Sequence, residues 1–222
     1  MRFVLTTGWE DGLANLLHRL VTELAAGKQV VWLVSGGSNI PASAKVMDNI
    51  SPDLRKNLTI ILGDERYGPV NHPDSNCLQL REAGFSTAHA TAFKTLQPDM
   101  SLEDTTERYG EIIEAAFDKA DCIIAQLGMG DDGHLAGILP GSPASKADKA
   151  MVYGYRGKPF DRITLGFAGL RKVTAAFVFA FGEPKRTALQ NLKRKRLPLT
   201  EQPAQILKQL PEVYVYNDQV GD

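Results

Sequence analysis

The chain has 222 residues, of which 43% are hydrophobic and 23% are charged, and its formal net charge is −1 at pH 7. That length fits one domain over residues 1–222, because no linker-like or charge-rich stretch divides the chain. The near-neutral charge gives no global attraction to nucleic acid or to a membrane surface, and no apolar run is long enough to span a bilayer. The N-terminus is too short in apolar length for a signal peptide and the two cysteines lie far apart, so we expect a cytoplasmic protein with reduced thiols.

In chain order, apolar runs predict strands that alternate with amphipathic helices. The predicted strands are 3–5, 30–34, 58–62, 122–127, 151–153, 163–165, 175–181 and 212–216. Helices are predicted over 13–24, from Pro41, near 78–83, within 102–119 and from Pro184. Such alternation favours an α/β fold with a doubly wound, mostly parallel sheet and helices on both faces.

The most informative stretch is the turn at residues 128–134, Gly-Met-Gly-Asp-Asp-Gly-His, which follows the predicted strand 122–127. Its glycines allow a tight turn that brings backbone close to a ligand. The turn places Asp132 and His134 at the carboxyl end of a strand, where ligands bind in open α/β sheets. We therefore predict that His134 is the base of an enzyme acting on a phosphorylated sugar. A buried histidine satisfied by backbone is the alternative.

The three glycines of this turn also fit the dinucleotide-binding pattern G-x-G-x-x-G. That kind of site needs a helix whose N-terminus faces a pyrophosphate. Residues 140–143, Pro-Gly-Ser-Pro, end any helix within about two turns. The adjacent aspartates would also repel the pyrophosphate. The residues around the glycines therefore argue against a dinucleotide site, although the glycine spacing fits one.

Several residues in other loops could hold a phosphate at the same edge of the sheet. Glycines and hydroxyls before a helix let backbone N–H groups converge on an anion, arginine binds phosphate oxygens with two nitrogens, and a lysine at a helix start favours an anionic partner. The candidates are Ser35, Gly36, Gly37, Ser38, Arg66, Arg162 and Lys185. A plain strand-to-helix turn and solvated surface cations are the alternatives.

Two further groups carry charge. Asp64 and Glu65 are either an acid/base pair or partners for Arg66. The basic run 193–196 is a solvated helix end or a surface attracting an anionic substrate or nucleic acid. No two histidines have metal-ligand spacing and no cysteine cluster occurs, so we infer no metal.

Five segments, in this order, resemble the 6-phosphogluconolactonases, within the larger group that includes the glucosamine-6-phosphate isomerases (deaminases). They are residues 34–38, 63–66 with Ser75 and Asn76, 127–134 with Pro140 and Gly141, 162–165, and 182–185. The resemblance covers most of the chain. It implies a Rossmann-like, three-layer fold and hydrolysis of 6-phospho-D-glucono-1,5-lactone without a cofactor.

The resemblance also implies roles for individual residues. His134 would activate water and Asp132 would orient it, while Asp64 corresponds to the base that the isomerases use. The phosphate would be surrounded by Gly36, Gly37, Ser38, Arg66, Arg162 and Lys185. The expected partner is a small-molecule sugar-phosphate lactone, bound by a monomer or weak homodimer in the oxidative pentose phosphate pathway.

The chain departs from the lactonase pattern at three positions. Asn39 stands where lactonases continue the glycine loop with Thr, and Leu135 and Gly137 stand where they have Thr and Ser. The isomerases place a glutamate at the position of Leu139, which disfavours an isomerase. An isomerase or deaminase of the same fold and a non-catalytic sugar-phosphate sensor are the alternative functions.

Overall fold

The computed structural model describes all 222 residues, and its elements alternate along most of the chain. The strands are β1 (Arg2–Leu5), β2 (Val30–Val34), β3 (Leu58–Leu62), β4 (Asp64–Tyr67), β5 (Thr91–Ala92), β6 (Cys122–Gly128), β7 (Val152–Tyr155), β8 (Asp161–Leu165), β9 (Ala175–Ala180) and β10 (Glu212–Asn217). The helices are α1 (Glu10–Ala25), α2 (Ile40–Asp48), α3 (Asn76–Glu82), α4 (Leu102–Lys119), α5 (Pro143–Lys146), α6 (Phe167–Leu170) and α7 (Arg186–Arg194).

Seven strands form one parallel sheet in the order β1-β10-β9-β6-β2-β3-β5. The interior strand β2 is buried along its whole length, as expected for a strand covered on both faces. Its Trp32 packs in an apolar cluster with α1 and α2, whereas Leu33 packs in a second cluster with α4. The predicted three-layer α/β architecture is confirmed.

A second sheet, of strands β4, β8 and β7, is antiparallel. This corrects the sequence prediction, which took residues 64–66 for a loop and placed the strands near 152 and 163 in the parallel sheet. β4 follows β3 after Gly63 alone, and the Leu165 N–H bonds to the Gly63 carbonyl at 2.8 Å. Pairing with β8 makes a strand of the polar sequence Asp-Glu-Arg-Tyr, which local propensity does not favour.

Smaller corrections concern element ends. A 3-10 turn occupies Gly37–Asn39 before α2, and another occupies Glu183–Lys185 before α7. The helix predicted from Pro184 therefore begins at Arg186, and the short edge strand β5 was not predicted at all. Helix α4 has the bounds that periodicity indicated.

Candidate active site

A cavity of about 250 Å³ lies at the carboxyl edge of the parallel sheet, beside the second sheet. It is lined by Ser35, Gly36, Gly37, Ser38, Asn39, Asp64, Arg66, Asn76, Gly128, Met129, Gly130, His134, Ala136, Arg162 and Lys185. Loops predicted to meet from distant parts of the sequence therefore do share one cavity. A larger groove of about 490 Å³, beside α4, brings no comparable set of charges together.

His134 and Asp132 form a hydrogen-bonded pair at the mouth of this cavity. The imidazole Nδ1 lies 2.7 Å from the Asp132 carboxylate, which also accepts the His134 backbone N–H at 2.9 Å. Because an ionised carboxylate only accepts, Nδ1 carries the proton and Nε2 keeps a free lone pair. Burial raises the pKa of Asp132, but the two bonds from His134 outweigh burial and leave that pKa below its ordinary value.

The conformation of the 128–134 turn depends on its glycines. Gly133 has φ +81°, a left-handed conformation that favours glycine. A Cβ on Gly130 would lie 2.1 Å from the His134 Nδ1, so a side chain there would displace the ring. The turn does not open a helix, because the next helix, α5, begins only at Pro143, and this argues against a dinucleotide site.

The glycine turn after β2 exposes unused backbone donors. The N–H groups of Gly36, Gly37 and Ser38 donate to no acceptor within the chain, and Gly37 has φ +66°. Unpaired N–H groups on residues that line a cavity suit an anion. The Ser35 hydroxyl, by contrast, donates to the Gln126 carbonyl at 2.9 Å, so its proton is already used.

Arg66 and Arg162 lie directly opposite each other on β4 and β8. This register explains why residues almost a hundred positions apart line the same cavity. The Nε of each guanidinium is buried without a hydrogen-bond partner, and neither arginine forms a salt bridge with a carboxylate. Like charges placed opposite each other in a sheet repel, so the pair would be stabilised by an anion between them.

Asp64 and Glu65 do not act as one pair, because successive strand residues point to opposite faces. Asp64 lines the cavity, and burial raises its pKa against the opposing effect of Arg66 and Arg162. Glu65 instead accepts hydrogen bonds from the backbone N–H groups of Asn76 and Cys77 at the start of α3. Glu65 therefore joins β4 to α3, and the acid/base-pair interpretation is wrong.

Lys185 reaches the cavity from the 3-10 turn after β9. Its ammonium donates to the Met129 carbonyl, beside the His134 turn. Burial lowers the pKa of Lys185 below 10.5, and Asp131 opposes that effect. Lys185 thus contributes a third, partly desolvated cation to the cavity that Arg66 and Arg162 line.

The three departures from the lactonase pattern have different structural contexts. Leu135 is fully buried in the core and does not line the cavity. Gly137 donates its N–H to the Thr164 hydroxyl, and a Cβ there would lie 2.8 Å from the Thr164 Cβ. Only Asn39 lines the cavity, with its Oδ1 buried and unpartnered. Asn76, which also lines the cavity, gave no functional signal in the sequence beyond its place in a family segment.

No group of three or more His, Cys, Asp or Glu side chains is arranged to hold a metal ion. None of the helices combines the length and apolarity that crossing a membrane requires.

The fold and the cavity define an α/β protein in which the His134 ring, hydrogen-bonded to Asp132, shares one cavity with three cationic side chains. The family model described as glucosamine-6-phosphate isomerases/6-phosphogluconolactonase matches residues 9–215. The chain belongs to this family.

Individual relatives carry both names of the family. The chain is 29% identical to the 6-phosphogluconolactonase of Thermotoga maritima over 202 residues, which cover 88% of this chain and 90% of the relative. It is 26% identical to the glucosamine-6-phosphate deaminase of Lactobacillus johnsonii, covering 100% of this chain and 96% of that one. A crystal structure of a 6-phosphogluconolactonase from Shewanella baltica is similar with a TM-score of 0.83 at 19% identity, covering 98% of this chain and 97% of the other. That likeness supports the fold.

Proposed function

We propose that this protein hydrolyses 6-phospho-D-glucono-1,5-lactone to 6-phosphogluconate, with His134 activating the attacking water. One observation carries the proposal: the His134 ring, hydrogen-bonded to Asp132, lines the same cavity as the glycine turn with its unpaired N–H groups. A base and unpaired N–H groups that share one cavity suit a substrate that carries both a reacting carbonyl and a phosphate.

The reaction requires proton transfer at one atom. The Nε2 of His134 takes a proton from water while the water oxygen bonds to the lactone carbonyl carbon, which becomes tetrahedral with a negative oxygen. Collapse of this intermediate breaks the bond between the carbonyl carbon and the ring oxygen. The imidazolium then returns the proton to the ring oxygen, which leaves as a hydroxyl, and Asp132 stabilises the imidazolium meanwhile.

The phosphate supplies binding energy that orients the carbonyl toward the water. In this proposal Arg66, Arg162 and Lys185 provide the opposing charge, and the N–H groups of residues 36–38 provide directional bonds. Asp64 lies beside the two guanidiniums and, as the residue at the position of the isomerases' base, is the third candidate catalytic group. The reaction belongs to the oxidative pentose phosphate pathway, and we expect it to occur in the cytoplasm without a cofactor.

The test is hydrolysis of freshly prepared lactone in a pH-stat, corrected for spontaneous opening. We expect His134→Ala to lower kcat by about 10²–10⁴-fold with little change in affinity for 6-phosphogluconate. His18→Ala is the matched control, because His18 is exposed on α1 outside the cavity. Full hydrolysis by His134→Ala would overturn the mechanism.

A deaminase is the second candidate, because Asp64 is buried in the cavity and a full-length relative carries that name. Leu139 supplies no carboxylate at the position where the isomerases have glutamate. Incubation with glucosamine 6-phosphate and an assay for ammonia separates the two activities. A thermal shift with 6-phosphogluconate but no turnover of either substrate would instead indicate a sensor.

A further inference from the structure

The loop between β7 and β8 places an aromatic ring against both arginines of the cavity. The Phe160 ring centroid lies 5.6 Å from the guanidinium carbon of Arg66 and 5.8 Å from that of Arg162. Phe160 does not itself line the cavity. We propose that Phe160 is a positioning residue that holds the two guanidiniums in place to bind the substrate's phosphate.

The strand register brings the two arginines together, and the Phe160 ring packs beside both. Arg66 lies directly opposite Arg162 in the pairing of β4 with β8. Phe160 immediately precedes β8, and the two centroid distances place its ring against both guanidiniums. The loop that carries the ring is closed by the Gly157 N–H, which donates to the Asp161 carboxylate at 3.0 Å.

A shared aromatic ring suits two cations that form no salt bridge with a carboxylate. Its negative face attracts each guanidinium without occupying the N–H groups that bind phosphate oxygens. A carboxylate in the same place would form salt bridges and compete with the ligand for those donors. Arg66 also donates one N–H to the Asp74 backbone carbonyl at 2.9 Å, and its other guanidinium N–H groups remain available to a ligand. Phe160 therefore offsets the repulsion between the arginines and keeps them available.

This inference rests on the proposed function, because it takes the phosphate of that substrate as the ligand of the two arginines. The variant Phe160→Leu removes the ring and keeps an apolar side chain. We expect it to weaken binding of 6-phosphogluconate about fivefold to thirtyfold, from the loss of two cation–π contacts. Binding of gluconate, which lacks the phosphate, should change less than twofold, and in the lactonase assay KM should change more than kcat.

Conservative variants separate positioning from general stability. Phe160→Tyr and Phe160→Trp retain a π face and should restore most of the affinity, which isothermal titration calorimetry with 6-phosphogluconate and inorganic phosphate will measure. Phe93→Leu is the matched control, because Phe93 is another partly buried phenylalanine that lines the remote groove. It should leave phosphate affinity unchanged even where it lowers the unfolding midpoint.

The outcomes distinguish this inference from the proposed function. Unchanged phosphate affinity in Phe160→Leu, or an equal loss of phosphate and gluconate binding, would overturn the positioning role. Failure of Tyr and Trp to restore affinity would overturn it as well. If the affinity for 6-phosphogluconate depends on Phe160 but the wild-type protein hydrolyses no lactone, the proposed function is refuted and the positioning role stands.

Discussion

Replacing Asp132 with asparagine tests whether the carboxylate orients the His134 imidazole, the proposed base. In the native protein one carboxylate oxygen accepts both the Nδ1–H and the backbone N–H of His134. Asparagine has the same shape and can keep its oxygen in that position, but it carries no charge. The variant therefore removes the stabilisation of the imidazolium with the least change in packing.

The size of the effect follows from the geometry and exposure of the pair. A hydrogen bond to a charged group contributes about 1.5–3 kcal/mol when well shielded. The side chains of His134 and Asp132 are 36% and 46% exposed, so solvent screening reduces that figure to about 1–2 kcal/mol. The expected loss in kcat is then about fivefold to thirtyfold. If the amide rotates and donates to Nδ1, the proton moves to Nε2 and the loss approaches about 10⁴-fold.

The assay is lactone hydrolysis under saturating substrate, with 6-phosphogluconate affinity measured in parallel. Asp131→Asn is the matched control, because it removes the same charge from the neighbouring residue, whose carboxylate accepts only the Asp132 N–H. We expect Asp131→Asn to retain nearly the native kcat. If Asp132→Asn also stayed within twofold of the native kcat, the orienting role of Asp132 would be refuted.

Two further predictions concern other walls of the cavity. Because burial lowers the pKa of Lys185 below 10.5, the lysine loses its charge as pH rises through that lowered value, so calorimetry should show 6-phosphogluconate affinity falling at a pH below the ordinary lysine range. Lys185→Met should bind more weakly at neutral pH and lack this step, and a step of the same size in the variant would contradict the assignment. Gly137→Ser should lower the free energy of unfolding by about 1–3 kcal/mol, measured by urea denaturation, because its Cβ would lie 2.8 Å from the Thr164 Cβ. A variant as stable as the native protein would show that the Thr164 side chain moves to accommodate the new Cβ, and the predicted destabilisation would be wrong.

The parallel sheet could be predicted from the sequence because its signals are local. The strand 30–34 is continuously apolar. Helix α4 has a helical apolar stripe, and the hydroxyl of Ser101 caps its N-terminus by accepting the Asp104 N–H at 3.0 Å. The strand β4 could not be predicted in this way. Its four polar and aromatic residues form a strand only because β8, almost a hundred positions later, supplies the pairing edge.

In the candidate site, too, local features could be predicted from the sequence and long-range ones could not. The turn at 128–134 contains both members of the histidine–carboxylate pair, so their proximity follows from sequence separation alone. The opposition of Arg66 and Arg162 depends on a strand register that no local pattern encodes. The aromatic contact of Phe160 depends in turn on that register, which is why sequence patterns gave no reason to single it out.

The second sheet also explains why the turn at residues 128–134 can end without opening a helix. Gly137 lies against this sheet, donating its N–H to Thr164 at 3.0 Å and accepting the Tyr155 hydroxyl at 2.7 Å. Thr164 is the register partner of Asp64, and Tyr155 is the register partner of Arg162. The segment after His134 is therefore held by the same residue pairs that present Asp64 and Arg162 to the cavity. One small sheet therefore anchors both the turn that carries His134 and the two arginines proposed to bind the phosphate. If the proposed function is right, a substitution that shifts this sheet should disturb hydrolysis and phosphate affinity together.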